Sequence, residues 1–104
     1  MKKYKIRISD LAKQDIRDTS IYIRNELLNP IAAENTTEAI LDGISKLNIM
    51  PERVAKVRDE RLARMGIRGL YIKNYTAFFR IKEEECIVDI VRVLYSRRDW
   101  QAIL

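Results

Sequence analysis

The second half of the sequence contains three segments rich in β-branched and aromatic residues, separated by turns of only two or three residues. The segments are Ile67–Ile72, Tyr75–Lys82 and Cys86–Tyr95, and the turns are Lys73-Asn74 and the acidic run Glu83-Glu84-Glu85. This composition is typical of strands. Links this short cannot carry the chain along the length of a sheet, as parallel pairing requires. The sequence therefore predicts an antiparallel meander of three strands.

The first half begins with a strand and continues as two helices. Residues Lys3–Ile8 alternate charged and apolar side chains, which is the pattern of a half-buried strand. Ser9 then provides a helix N-cap, and Asn29 followed by Pro30 ends one helix and begins the next. A link this short predicts an antiparallel helical hairpin, which Pro51 closes. The apolar stripes of the two helices are Ala12, Ile16, Thr19, Ile23 and Leu27, and Ala33, Thr36, Ile40, Ile44 and Leu47.

Two further segments complete the predicted fold. Residues Glu52–Gly66 lack a clear period and are interpreted as a structured basic loop, with room for one helical turn. Ser96 is a candidate N-cap for a short final helix that carries Trp100, Ile103 and Leu104. A chain of 104 residues is about the size of one ordinary domain, so we predict a single α+β domain. Its predicted order is β-α-α-β-β-β followed by a short helix.

The composition limits the chemistry that the protein can perform. Histidine is absent, which excludes histidine triads, histidine proton shuttles and nearly all zinc sites. Cys86 is the one cysteine, so there is no disulfide framework, and we expect neither a metal nor a cofactor. Any reaction must use Arg, Lys, Tyr or carboxylates. The formal net charge of +5 predicts affinity for an anionic partner, either nucleic acid or an acidic protein.

The sequence also carries expectations about location. No apolar run approaches the roughly 20 residues that a membrane-spanning helix needs, so no membrane partner is expected. The opening MKKYKIRISD alternates apolar and charged residues, whereas a secretory signal follows its lysines with an unbroken apolar stretch. We expect Cys86 to be a small core residue in a reducing compartment. The predicted location is the cytoplasm.

Three motifs occur in the order that the RelE/ParE toxin superfamily shows. YKIRISDLAKQDIRD resembles the opening of that family, where a strand leads into a helix through a step that is here Ala12-Lys13-Gln14-Asp15. IRGLYIKNYTAFFRI resembles its middle hairpin, whose aromatic strand ends here in Phe79-Arg80-Ile81. VDIVRVLYSRRDW resembles its last strand and exit, here Arg92-Val93-Leu94-Tyr95 and then Arg98-Asp99. The chain is identified as a member of this superfamily over nearly its whole length.

The resemblance implies a helical hairpin packed on one face of a curved, mostly antiparallel sheet. It also implies a growth-inhibiting toxin of a type II toxin-antitoxin system, neutralised by a cognate antitoxin. That antitoxin is a small acidic protein whose extended segment wraps the toxin, and operator DNA is bound only through it. ParE-like members poison DNA gyrase, whereas RelE-like members cut messenger RNA on the translating ribosome without a metal.

The cellular target depends on which of these two branches the protein resembles more closely. The sequences Phe79-Arg80-Ile81 and Arg92-Val93-Leu94-Tyr95 are more similar to the ParE-like branch, so we favour DNA gyrase as the target. The alternative is a ribosome-dependent mRNA endonuclease. A third possibility is a relic of the fold that binds RNA or protein without toxicity. Gyrase inhibition requires no catalytic side chains. The nuclease hypothesis requires them, and the relic hypothesis requires side chains that bind RNA or protein.

For the nuclease alternative the candidate catalytic residues are Arg80, Arg92 and Tyr95. Strand alternation predicts that Arg80 shares a face with Phe78 and that Arg92 shares one with Ile90, and a charge on an apolar strand face needs a reason. Arginines on a concave face would stabilise charge on a cleaved phosphate, while tyrosine would move a proton. The structural interpretation instead pairs either arginine with Asp89 or a glutamate, or places it at a sheet edge with its charged end in solvent.

One position departs from the nuclease pattern. RelE-like nucleases resembling this hairpin carry an arginine just after the aromatic residue that begins the third strand, whereas here Tyr75 is followed by Thr76. A phosphate-binding side chain is therefore missing, which favours gyrase inhibition or the relic. Five further arginines are candidates for nucleic-acid or partner binding, with solvated surface as their alternative. They are Arg61, Arg64, Arg68, Arg97 and Arg98.

Overall fold

A computed structural model describes all 104 residues and contains the predicted strand, helical hairpin, meander and final helix in that order. Single 3-10 turns at Lys46–Asn48 and Pro51–Arg53 follow the hairpin. None of the helices has the length and apolar character that crossing a membrane requires. The elements are β1 Lys5–Ile8, α1 Asp10–Asn25, α2 Pro30–Ser45, α3 Glu60–Arg64, β2 Arg68–Ile72, β3 Tyr75–Lys82, β4 Ile87–Tyr95 and α4 Trp100–Ile103.

The four strands form one mixed sheet in the order β1-β4-β3-β2. The meander is confirmed, because β3 pairs antiparallel with both β2 and β4. β1 pairs parallel with the first half of β4, from Lys5 opposite Ile87 to Ile8 opposite Ile90. Beyond Ile90 the outer edge of β4 has no strand beside it. The chain of β1 turns there into α1.

The two predicted N-caps begin the two helices of the hairpin. The Ser9 hydroxyl accepts a hydrogen bond from Ala12 N at 3.0 Å, and the Asn29 side chain accepts one from Ala32 N at 3.0 Å. Each such cap stabilises a helix by about 1 kcal/mol because it satisfies an otherwise unpaired N–H. Leu27, which was predicted to lie on the first apolar stripe, lies beyond the end of α1 and is 57% exposed.

The main core lies between the helical hairpin and one face of the sheet. The alternation of β3 turns Ala77 and Phe79 toward the hairpin, and both are fully buried. This burial supplies most of the stabilisation, at about 25 cal/mol for each Å² of apolar surface removed from water. The cluster consists of Tyr4, Ala12, Ile16, Ile40, Ile44, Leu47, Ala77, Phe79, Val88, Ile90 and Val93.

A smaller core covers part of the opposite face of the sheet. Phe78 and Leu94 pack there with Leu62 of α3, and the ring centroid of Trp100 in α4 lies 5.2 Å from that of Phe78. The helix α3 thus anchors the predicted basic loop. It is capped by Asp59, whose side chain accepts a hydrogen bond from Leu62 N at 3.0 Å. The final helix begins later than the predicted Ser96 cap, at Trp100.

A β-bulge in β4 reverses the predicted side of one arginine. Phe79 pairs with Ile90 but Phe78 pairs with Arg92, so Val91 is an extra residue in β4. Ile90 and Arg92 therefore lie on opposite faces, and the prediction that they share one was wrong. Ser9 holds the bulge, since its N–H bonds Ile90 O at 3.0 Å and its hydroxyl bonds Val91 O at 2.9 Å.

Candidate functional site

Arg92 is held by a carboxylate of the first helix. Asp15 accepts hydrogen bonds from Arg92 Nε at 2.8 Å, from Arg92 Nη2 at 2.9 Å and from the backbone N of Val93 at 3.0 Å. Both side chains are largely buried, with 20% of Arg92 and 11% of Asp15 exposed. The hydrogen bond to Asp15 raises the pKa of Arg92. The guanidinium is thus already neutralised in a two-pronged ion pair.

Sequence reasoning missed Asp15 as this partner. The partners predicted from the sequence were Asp89 or a glutamate. A signal was present, however, since Asp15 lies three residues after Ala12 and four before Thr19, on the apolar stripe of α1. A carboxylate on a buried helix face requires a cationic or N–H partner.

Arg80 lies on the sheet face that points away from the hairpin. It is directly opposite Asp89 in the register but forms no ion pair with it. Asp89 instead accepts from Arg7 Nε at 2.7 Å, and Lys82 Nζ lies 3.3 Å from its other oxygen. The Arg7 hydrogen bond and the adjacent Lys82 hold the pKa of Asp89 below its usual value, against the opposing effect of burial.

Tyr95 lies beside a groove between α1 and the open end of β4. Its ring makes an edge contact with Tyr75 at a centroid distance of 5.7 Å, and 43% of Tyr95 is exposed. Burial raises the pKa of Tyr75. The groove has a volume of about 860 Å³, and Tyr22, Lys73 and Arg98 also line it. It is therefore an aromatic groove with both cationic and acidic residues in its lining, the latter from α1.

The three candidate catalytic residues do not converge. Tyr95 pairs with Tyr75, which lies five residues along β3 from Arg80, and this corresponds to about 16 Å of strand. An odd separation along a strand also places Tyr75 and Arg80 on opposite faces. Arg92 is closer to Tyr95, yet it is committed to Asp15. The geometry thus offers no point at which all three side chains reach one phosphate.

Position 76 is a packing position. Thr76 is 3% exposed, and its hydroxyl lies 2.8 Å from that of Ser96 in a hydrogen bond. Its methyl group also packs against the backbone of Gly69. A Cβ added at Gly69 would lie only 3.2 Å from the methyl carbon of Thr76. An arginine side chain would not fit here without displacing the final segment. Thr76 is consequently a structural residue in this protein.

Two of the other candidate arginines contact neighbouring main chain. Arg68 faces the hairpin side of β2, where its Nη1 donates to the carbonyl oxygen of Val54 at 2.6 Å and to that of Glu52 at 3.3 Å. Arg61 Nη2 donates to Gln101 O at 3.4 Å. These contacts fasten the basic loop to its surroundings.

The remaining candidate arginines are exposed. Arg64 lies 3.8 Å from Glu60 in a surface ion pair, which contributes little to stability. Arg97 and Arg98 extend into solvent without a side-chain partner, and Arg98 lines the aromatic groove. No three Asp, Glu or Cys side chains lie together in a way that would hold a metal ion.

This fold also occurs in solved structures, among them the following two. The chromosomal ParDE toxin-antitoxin system of P. aeruginosa matches with a TM-score of 0.74 and 18% identity, covering 91% of this chain and 98% of that one. The toxin-antitoxin complex RelBE2 of Mycobacterium tuberculosis matches with a TM-score of 0.64 and 21% identity, covering 89% of this chain and 98% of that one. The fold is therefore the one seen in these two toxin-antitoxin structures, as predicted.

The family match is more specific than the fold. The model described as "ParE toxin of type II toxin-antitoxin system, parDE" matches residues 6–100. The chain belongs to the ParE toxin family, and it is a type II toxin-antitoxin toxin. A comparison with curated proteins finds no match.

Proposed function

We propose that this toxin inhibits bacterial growth by binding DNA gyrase, without a catalytic step of its own, in the cytoplasm. The observation that carries the proposal is the separation of its candidate catalytic side chains. Tyr95 pairs with Tyr75, and Arg80 lies about 16 Å from Tyr75 along β3. Arg80 and Tyr75 are also on opposite faces of the sheet. An inhibitor that acts by binding needs no such convergence.

Cleavage of messenger RNA makes demands that this arrangement does not meet. A ribose hydroxyl attacking the adjacent phosphate needs a cation at the developing charge and a proton carrier within hydrogen-bond reach. The Arg92 guanidinium is already engaged by Asp15 through Nε and Nη2. Thr76 occupies the position where nucleases resembling this hairpin carry arginine. Both observations support the gyrase route over the nuclease route.

The aromatic groove is our proposed contact for a cognate antitoxin. The two related structures are described as toxin-antitoxin systems or complexes. Tyr22, Tyr75 and Tyr95 provide apolar surface, and Lys73 and Arg98 provide cations for the carboxylates of a small acidic protein. No strand lies beside β4 past Ile90, but the side chains of Ser9 and Asp15 already bond Val91 O and Val93 N there. The proposed antitoxin contact is therefore the lining of the groove and not strand addition at this edge. Operator DNA would then be bound through the antitoxin.

The target is tested with the purified toxin in two parallel reactions. In the first, gyrase supercoils a relaxed plasmid with increasing toxin; in the second, ribosomes translate a defined transcript whose ends are then mapped. We expect supercoiling to be lost while the transcript stays intact, and antitoxin added beforehand should prevent the loss. Codon-biased transcript ends with normal supercoiling would refute the proposal. Normal results in both reactions, with unimpaired growth on induction, would favour the relic.

A further inference from the structure

A group of cations occupies the part of the sheet face that neither α3 nor α4 covers. The register places Arg7, Asp89 and Arg80 side by side across three strands, and it places Lys5 and Lys82 on either side of Ile87 in the next row. We call this surface the basic sheet face. It consists of Lys5, Arg7, Arg80 and Lys82 around the carboxylate of Asp89, with Asp10 and Glu85 at its margin.

The internal contacts of this surface leave an excess of positive charge. Asp89 neutralises one charge while it orients two cations, those of Arg7 at 2.7 Å and Lys82 at 3.3 Å. Arg80 has no ion-pair partner, and Lys5 and Arg7 are exposed on the edge strand. The acidic turn after β3 bounds the surface at one end, where Glu83 is held by Lys2 and Tyr4.

We propose that the basic sheet face binds the phosphate backbone of duplex DNA without reading its sequence. Lysine and arginine on an open surface are the groups that neutralise phosphates and release counterions. The surface contains no aromatic side chain, whereas single-stranded nucleic acid is bound largely by stacking on aromatics. Tyr71, which shares this side of the sheet, lies on the far strand β2, opposite Thr76. Backbone contact with a duplex is the chemistry that remains.

The dimensions allow several phosphates to be contacted at once. Neighbouring strands lie about 4.8 Å apart, so Arg7 and Arg80 are separated by about 10 Å across β4. Residues two apart on one strand, such as Arg80 and Lys82, are separated by about 6.6 Å. This contact goes beyond the proposed gyrase inhibition. It also differs from operator recognition, which is sequence-specific and assigned to the antitoxin.

The test measures how DNA binding depends on salt. A labelled duplex of random sequence is titrated with the toxin, and fluorescence anisotropy gives Kd between 50 and 200 mM salt. Because Asp89 offsets one of the four cations, about three phosphate contacts predict a slope of about −2.7 for the logarithm of affinity against the logarithm of salt concentration, which is about a 40-fold loss over this range. The double variant R80Q/K82Q should flatten the slope by about 2.

A matched control separates this surface from overall charge. K13Q/R24Q removes two exposed cations from α1, neither of which has an ion-pair partner, and it should leave the slope unchanged. Equal flattening in both variants would overturn the proposal, as would undetectable binding at 50 mM salt or tighter binding to single-stranded RNA of the same length. Thermal unfolding of R80Q/K82Q should match the parent. Gyrase inhibition is scored separately, so either proposal can fail alone.

Discussion

Replacing Asp15 with alanine tests whether one carboxylate fastens the first helix to the last strand. The substitution leaves the Arg92 guanidinium and the Val93 N–H without the partners that now lie 2.8 to 3.0 Å away. Breaking a buried ion pair from one side costs about 3–5 kcal/mol, and an unsatisfied N–H adds about 1–3 kcal/mol. Because 20% of the Arg92 side chain is exposed, water replaces part of the loss. We expect a net destabilisation of about 2–3 kcal/mol.

That change is large for a domain of this size. Total stabilities are typically about 5–15 kcal/mol, and a loss of about 2.5 kcal/mol lowers Tm by roughly 10–20 °C. Urea denaturation and thermal melts of the purified variant measure both quantities. The control is D18A, which removes an exposed carboxylate one turn along α1 that accepts a hydrogen bond from Gln14. It should change stability by less than about 0.5 kcal/mol.

The reasoning is refuted if D15A unfolds within about 0.5 kcal/mol of the parent protein. A second variant separates charge from shape. D15L combined with R92M replaces the ion pair by apolar side chains of similar size, and such replacements of buried pairs are often neutral. This double variant should therefore recover most of the stability that D15A loses. If it does not, the hydrogen bond to Val93 N carries more of the stabilisation than the ion pair does.

Two further substitutions address acid stability and helix initiation. The pKa of Asp89 is below 3.8 in the folded protein, so its stabilising contribution is present above pH 3.8 and is lost as pH falls through the folded pKa. The free energy of unfolding of D89N, measured from pH 5 to pH 2, should therefore fall less steeply with decreasing pH than that of the parent. An unchanged pH dependence would contradict the stabilising role of ionised Asp89. N29A removes the α2 cap and should cost about 1 kcal/mol in urea denaturation. N35A, on the exposed side of α2, is its control, and an equal loss in both would discount the cap.

The features predicted correctly are those encoded by neighbouring residues. Ser9 and Asn29 cap helices because their side chains reach N–H groups only three residues ahead. The meander is predictable because its turns leave the strands no room for another arrangement. The family assignment also rested on contiguous motifs, and the match over residues 6–100 confirms it.

The features that were missed depend on contacts between distant residues. Nothing in the apolar alternation of β4 marks Val91 as a bulge, so the side on which Arg92 lies was misassigned. The partner of that arginine lies in α1, and only the folded structure places Asp15 beside it. The separation of Arg80 from Tyr95 likewise follows from the pairing of β3 with β4. Strand alternation predicts faces within one strand but does not carry across a bulge.

The parallel pairing of β1 with β4 has a consequence for the order in which the toxin acquires its structure. Arg7 and Asp89 are 82 positions apart, and β1 has no other strand beside it. Closing a loop of this length costs about 2 kcal/mol more in chain entropy than closing one of ten residues. At synthesis rates of about 5–20 residues per second, β1 waits several seconds for its partner strand to emerge. The sheet of the nascent toxin therefore stays incomplete until β4 has been synthesised.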